Sequence, residues 1–116
     1  MMRRGEIRLV DLDPARGSEA AKRRPAVIVS NDGATTTATR FGRGIVTVVP
    51  VTSNVERMYP FQVLLAADEC GMKTDSKSHA EQVRAVTVER IGDLVGQVPP
   101  TVMAEVDDAL RLHLDL

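Results

Sequence analysis

The sequence predicts a mainly β fold: a small, curled, antiparallel sheet or open barrel with one C-terminal helix. Three observations carry this. Short β-prone runs recur at close spacing through residues 6–98. The segments between them are too short for the crossover helices that parallel strands need. One stripe with helical spacing, Met103, Val106, Leu110 and Leu114, closes the chain. At 116 residues the chain is one domain, 1–116, able to bury roughly two-thirds of its unfolded surface without a staple.

The elements follow in order. Residues 6–12 alternate, with Ile7 and Leu9 on one face and Arg8, Val10 and Leu12 on the other, and read as a strand. Residues 13–23 have turn chemistry without a period, and loops of that length are often functional lids. Pro25 cannot donate to a ladder, so it suits the first residue of a second strand, Pro25 to Val29. It also holds Arg24 extended. Asn31-Asp32-Gly33 breaks the chain, and residues 34–41 fit either a short helical turn or a loop. Residues 45–53 form a strongly β-prone third strand bent at Pro50, and 61–65 a fourth. Residues 68–78 read as polar and irregular, 80–86 as a fifth strand, 87–91 as a helical turn and 94–98 as a short strand. Pro100 suits the first position of the final helix. Leu114 and Leu116 extend its stripe or meet a partner chain.

The net charge of −1 conceals an asymmetry. Residues 1–60 hold ten Lys/Arg against six Asp/Glu, and residues 61–116 hold five against ten. A local basic face can bind phosphate whatever the total, although a solvated surface gives the same asymmetry. Cys70 is the one cysteine and has no cationic activator near it in sequence, so a catalytic thiol is not expected. The two histidines, His79 and His113, lie far apart and suggest no metal spacing; both read as surface or boundary residues. No metal or cofactor is expected. The sequence has no apolar run of membrane-spanning length and its basic start has no apolar h-region, so no membrane association and a cytoplasmic location are expected.

The phosphate-binding loop, the dinucleotide-binding glycine motif and the nucleophile elbow are all missing. What remains is polar groups set into hydrophobic strands. These are Arg24 at a strand start, Thr52-Ser53 at a strand end, Glu81-Gln82 in the fifth strand and Ser18-Glu19 in the long loop. Strand ends converging on one rim of a small barrel make a plausible site. Each also has a plainer reading: Arg24 can snorkel, Thr52 can be an ordinary β-former, and Gln82 and Arg84 can form a solvated face.

Taken together, these residues resemble the PemK/MazF family of toxin endoribonucleases. The matches run in order through most of the chain. They are Arg4-Gly5-Glu6-Ile7 with Asp11-Leu12-Asp13-Pro14, then Gly17-Ser18-Glu19, then Arg24-Pro25-Ala26-Val27-Ile28-Val29-Ser30-Asn31. Val49-Pro50-Val51-Thr52-Ser53, Glu81-Gln82-Val83-Arg84 and Val106-Asp107-Asp108-Ala109-Leu110 complete them. The resemblance implies an SH3-like open barrel with a C-terminal helix, forming a homodimer. It implies metal-independent, sequence-specific cleavage of single-stranded RNA through attack of the RNA's own 2′-OH, leaving a 2′,3′-cyclic phosphate and a 5′-OH. It also implies inhibition of translation and growth, and a cognate MazE-like antitoxin whose acidic tail fills the RNA groove.

By the same resemblance, Arg24 stabilises the phosphate and takes part in proton transfer, Thr52 donates its hydroxyl to the scissile phosphate, and Glu81 sits where some relatives place a base. Free arginine has a pKa above about 12, so the electrostatic role of Arg24 is the better founded. Ser18, Glu19, Ser53 and Gln82 match RNA-contacting positions, while Arg23 adds positive field. The family usually places Tyr or Trp where Arg8 stands, which leaves base stacking to Phe61, Tyr59 or arginine planes. Two other readings compete: a barrel toxin that poisons DNA gyrase without catalysis, and an adaptor for proline-rich peptides. The first does not need Arg24 or Thr52, and the second wants aromatic residues, which make up 3% of this chain.

Overall fold

The computed structural model describes residues 2–13, 16–19 and 22–116. Seven strands, β1 (Glu6–Asp11), β2 (Arg23–Ile28), β3 (Ile45–Thr52), β4 (Gln62–Leu65), β5 (Ser76–His79), β6 (Arg84–Thr87) and β7 (Ile91–Gln97), form one antiparallel sheet. Its order is β4-β5-β3-β2-β1-β7, with β6 paired to β3, and it does not close. Among the described residues three α-helices accompany it: α1 (Asp32–Phe41), α2 (Ala67–Cys70) and α3 (Pro100–Leu114). The expected mainly β architecture with a C-terminal helix is what forms.

Two apolar cores lie on opposite faces of the sheet, and β2 feeds both. Val27, and Val29 just past the end of the strand, join Ile7, Val49, Leu65 and Val106 on the α3 side. Ala26 and Ile28 join Val10, Leu12, Val46 and Val48 on the α1 side, where Ala38 packs. That is why β2 reads as a continuous apolar run rather than an alternation. Of the helical stripe, Met103 and Val106 are buried and Leu110 is half-buried, whereas Leu114 is exposed along with Leu112 and Leu116. Ala109 completes the buried face instead. The ion pair of Arg4 with Asp107 ties the start of the chain to α3.

The two prolines explain the strand ends. Pro25 is not the first residue of β2: it pairs with Leu9 of β1, while the β3 ladder begins only at Ala26. Its missing N–H therefore falls where no ladder bond is called for. Pro50 pairs with Ala26 on one edge. On the other edge β3 changes partner there, from β6 along Ile45–Val48 to β5 at Val51 and Thr52. Pro50 has no N–H to offer that edge, and the 3₁₀ turn Ala80–Gln82 fills the interruption. The expected continuous strand over 80–86 is thereby corrected. Glu81 and Gln82 lie in a turn, and only Arg84–Thr87 is strand.

Two further expectations are corrected. Residues 32–41 form a ten-residue helix rather than a break followed by a turn or loop. Asn31 Oδ1 accepts the Ala34 N–H at 2.8 Å, and Gly42, at φ 64°, ends the helix in the left-handed region. Capping at both ends and burial of Thr35 and Ala38 outweigh the weak propensity of four threonines. Residues 68–78, read as irregular, instead fall largely within α2 and β5. Ser76, Lys77 and Ser78 are polar yet buried, because β5 lies between β3 and β4. The helical turn near 87–91 is a 3₁₀ turn, Val88–Arg90, and β7 is longer at its start than residues 94–98.

Candidate active site

The ladder registers align a row of polar side chains on one face of the sheet. Thr52 pairs with Lys77 across β3 and β5, and Gln62 pairs with His79 across β4 and β5. Lys77 and His79 are two apart in β5, so they share a face. The β2–β3 register, in which Ala26 faces Pro50, brings Arg24 and Thr52 to the same end of the two strands. The row runs from Arg24 through Thr52 to Lys77 and His79.

Two adjoining cavities open along this row, and Arg24, Val51 and Thr52 line both. The larger, about 730 Å³, extends past Ser53 to Met72, Lys73 and Thr74. Gly71, at φ 70°, ends α2 and turns the chain into that wall. The smaller, about 250 Å³, is bounded by Ser18 and Glu19 from the loop and by Asn54, Lys77, His79 and Gln82. Arg24, Lys77 and Lys73 give the pair of cavities a cationic lining, with Glu19 as its acidic member. Thr52 Oγ1 accepts the Asn54 N–H at 3.4 Å, which leaves its hydroxyl hydrogen available to donate. Lys77 Nζ donates to the Arg57 carbonyl.

The root of the loop is tied down. Arg90 Nη1 donates to the carbonyls of Asp11 and Asp13, and Arg84 Nη1 donates to that of Leu12 at 3.2 Å. Asp13 Oδ1 accepts the Lys22 N–H at 2.8 Å, and the Lys22 carbonyl accepts the Leu12 N–H at 2.9 Å. Within the loop, Arg16 N–H donates to Glu19 Oε1 at 2.8 Å, closing the turn that carries Ser18. Part of the loop read from sequence, at residues 14–15 and 20–21, lies outside the described residues.

The structure thus brings together Arg24, Thr52, Ser18, Glu19, Ser53 and Gln82 from the sequence reading. Arg23 goes elsewhere: alternation sends it to a separate cavity with Asp11, Thr87, Glu89 and Arg90. Glu81 lines neither site cavity. Its Oε2 accepts from Gln62 Nε2 at 2.6 Å and lies 3.4 Å from His79 Nδ1, while its Oε1 is buried without a hydrogen-bond partner. Sequence reasoning missed Lys77 and His79, whose signal is a two-residue alternation in a segment too polar to look like a strand. Arg8 is bound to Glu6 at 2.8 Å and to the Gly92 carbonyl at 3.1 Å, outside the site. Tyr59 stacks on Phe61 with ring centroids 5.6 Å apart, also outside it. Burial, followed by the charges of Glu69 and Asp68, pushes the Cys70 thiol above its ordinary value, as suits an unreactive side chain. Among the described residues no group of His, Cys, Asp and Glu could hold a metal ion, and no helix is long and apolar enough to cross a membrane.

The model of the PemK-like, MazF-like toxins of type II toxin–antitoxin systems matches residues 3–114. The endoribonuclease MazF9 of Mycobacterium tuberculosis is 60% identical over 116 residues, spanning 100% of this chain and 98% of its own. The endoribonuclease EndoA of Bacillus subtilis is 29% identical, over 100% and 97%. Among solved structures, MazF of Deinococcus radiodurans superposes with a TM-score of 0.78 at 26% identity, over 99% of this chain and 97% of that one. A mycobacterial endoribonuclease in complex with its cognate antitoxin shares the fold, with a TM-score of 0.77 at 22% identity over 100% and 97%. The chain belongs to the family of PemK-like, MazF-like toxins of type II toxin–antitoxin systems.

Proposed function

We propose that this protein is an endoribonuclease toxin that cleaves single-stranded RNA at a short sequence, without a metal, and is held in check by a cognate MazE-like antitoxin. The observation that carries this is the meeting of Arg24 and Thr52 on the shared wall of two adjoining cavities. The 60% identity to an endoribonuclease over the whole chain supports the reaction class. A gyrase-binding toxin has no use for this arrangement.

The attacking group is the RNA's own 2′-OH, so neither a protein nucleophile nor a metal-bound water is required. The 2′-oxygen forms a bond to phosphorus, and the bond from phosphorus to the 5′-oxygen breaks. The products are a 2′,3′-cyclic phosphate and a 5′-OH. Arg24 offers its guanidinium fork to the non-bridging oxygens as negative charge grows there, and Thr52 adds a hydroxyl donor. Lys77 contributes a point charge from the same face. Ser18, Glu19, Asn54 and Gln82 on one side, and Ser53 with the Met72–Thr74 strap on the other, are the groups that meet flanking bases. Gln82 can accept and donate at a base edge at once. Glu81 acts from behind the cavity wall.

The protein works as a homodimer in this reading. Leu112, Leu114 and Leu116 leave apolar surface exposed at the end of α3, which supports a second chain there. The antitoxin's acidic tail competes with RNA for the cationic cavities, so cleavage stops when it binds. Translation and growth fall when it is absent.

Incubation of the purified protein with a transcript containing every pentanucleotide, in EDTA, tests the reading. Fragments that begin with a 5′-OH at one recurrent sequence are expected. Intact RNA, or cleavage that EDTA abolishes, would overturn it.

A further inference from the structure

We infer that the larger cavity is a subsite for a keto base, uracil or guanine, next to the cleaved phosphate, and that Lys73 reads that base. The inference rests on the ribonuclease reading above and assigns the sequence preference that reading leaves open. A phosphate held by Arg24 and Thr52, on the wall common to both cavities, brings a neighbouring base within reach of the larger one. Its volume of about 730 Å³ suits a nucleoside-sized group. Pro25, Val51, Met72 and Val95 give it apolar walls on which a base can lie.

The two cavities differ in what their side chains can accept. The smaller one has Glu19, Asn54, His79 and Gln82, all with acceptor atoms. No carboxylate or carboxamide side chain lines the larger one, whose charged members are Arg24 and Lys73. Lys73 is exposed and has no ion pair or hydrogen bond among the described residues, and an ammonium can only donate. Ser76 Oγ gives its hydrogen to the Thr74 carbonyl at 3.2 Å, so what it has left is lone pairs. A cationic donor beside a hydroxyl acceptor matches half of the nucleobases. Uracil and guanine carry a carbonyl oxygen next to a ring N–H on the pairing edge, which is open to reading in a single strand. Cytosine and adenine carry an amino group next to a bare ring nitrogen there. A keto base offers its oxygen to Lys73 and its N–H to Ser76. An amino base sets its NH2 against the ammonium and leaves both protein groups unpaired, and that mismatch is what selects.

The backbone that carries Lys73 is anchored on both sides. Gly71 ends α2 at φ 70°, and the Met72 N–H closes the turn on the Ala67 carbonyl at 2.9 Å. Asp75 Oδ1 accepts the Ala67 N–H at 2.8 Å, which pins the far end of the strap to the start of the same helix. On β7, a Cβ at Gly96 would lie 2.5 Å from the Cys70 carbonyl oxygen and 2.9 Å from Met72 Cγ, so glycine is what lets the strap sit this close. Lys73 therefore reaches from a fixed point, and little ordering of the chain is needed when a base arrives.

The experiment compares single-turnover cleavage, in EDTA, of oligonucleotides that differ only at the two nucleotides flanking the mapped bond, each set in turn to U, G, C and A. At one of these positions the wild type is expected to favour a keto over an amino base by ~10- to 100-fold. Preference for uracil and preference for guanine both support the inference and identify the base. Replacing that uracil by its 4-deoxy analogue, or that guanine by 2-aminopurine, removes the oxygen without adding an amine and should cost about 10-fold. Lys73→Met should bring keto and amino bases within about 3-fold of each other there and make the analogue no worse than the natural base, while the preference at the other position stays. Lys73→Arg should keep the keto preference, and Lys73→Glu should turn it toward cytosine or adenine, whose amine a carboxylate accepts. Each preference is a ratio within one variant, so a general loss of RNA affinity cancels. A wild type with no keto preference at either position overturns the inference, as does a folded Lys73→Met or Lys73→Glu with the wild-type preference. Those results leave the ribonuclease reading standing. A wild-type chain that cleaves no RNA overturns both.

Discussion

Strands β2 and β5 lie on opposite edges of β3, and both supply the proposed active site, yet their compositions have little in common. β2 is apolar inside and packs into both cores, with Arg24 near its leading end. β5 is Ser76-Lys77-Ser78-His79, without an apolar residue. β2 would be a strand in almost any setting. β5 is one because β3 and β4 on either side satisfy its backbone, while its alternation directs Lys77 and His79 to the cavity. One strand is specified by its own hydrophobicity and bears one functional group. The other is specified by its neighbours and is free to carry mostly polar ones.

The strongest way to break this comparison is at the point where the two regions meet. Arg24→Ala and Thr52→Val are each expected to lower cleavage in EDTA by on the order of 10²- to 10³-fold. Neither should move the thermal midpoint by more than a few degrees, since both side chains are only partly buried. A variant of either residue that is folded and fully active would remove the centre of the site.

A matched pair then separates packing from chemistry. Ile28→Val in β2 should lose about 0.5–1.5 kcal/mol of stability, because Ile28 is fully buried, and leave the cleavage rate unchanged. Lys77→Met in β5 should do the reverse. Replacing a buried cation by an apolar chain of similar length is expected to leave stability level or raise it by about 1 kcal/mol. Cleavage should fall roughly 10-fold with the lost charge. Denaturant unfolding and single-turnover rates check both. A Lys77→Met protein that unfolds more easily yet cleaves normally would make β5 structural after all.

The same contrast explains what could be read from sequence. β1 and α3 were legible because their apolar patterns are periodic, and β2, β3 and β4 because they are short local runs of β-prone residues. Arg24 and Thr52 stand at the ends of those strands, but a plainer reading was open for each, and the ordered resemblance singled them out. β5 was not, since polar residues that line a cavity look like solvated ones until β3 and β4 are placed beside them. His79 passed as a boundary residue for the same reason. Arg23 was counted with the RNA-binding cations because the strand was expected to start at Pro25; β2 starts at Arg23, and alternation then sends it to the other face. The break in the fifth strand became visible only when Pro50 was placed opposite it. The helix at 32–41 was hidden by its threonines, even though the Asn31 cap and the Gly42 terminator were both in the chain.

The loop root tests whether Ser18 and Glu19 depend on anchoring outside the site. Arg90 holds the carbonyls of Asp11 and Asp13 from beyond the two site cavities. Arg90→Ala should raise KM several-fold while leaving kcat nearly unchanged, with about 1 kcal/mol of stability lost along with its hydrogen bonds. Equal effects on kcat and KM would mean that the loop root also shapes the reacting geometry around Arg24.

The smallest effect is expected at Lys22, two residues before Arg24. Its φ of 66° puts a side chain in the left-handed region, which disfavours non-glycine residues by about 1–2 kcal/mol. The strain persists because both backbone groups are engaged: the Lys22 N–H binds Asp13 Oδ1 and its carbonyl binds the Leu12 N–H. Lys22→Gly relieves the strain but lets the unfolded chain gain freedom, so a net gain of ~0.5 kcal/mol is expected in denaturant unfolding. The denaturation slope should not change, since the same surface is exposed. A loss of stability would show that the lysine side chain contributes more than its backbone geometry costs. β2 would then depend on its polar leading end as well as on its apolar interior, and the contrast with β5 would narrow.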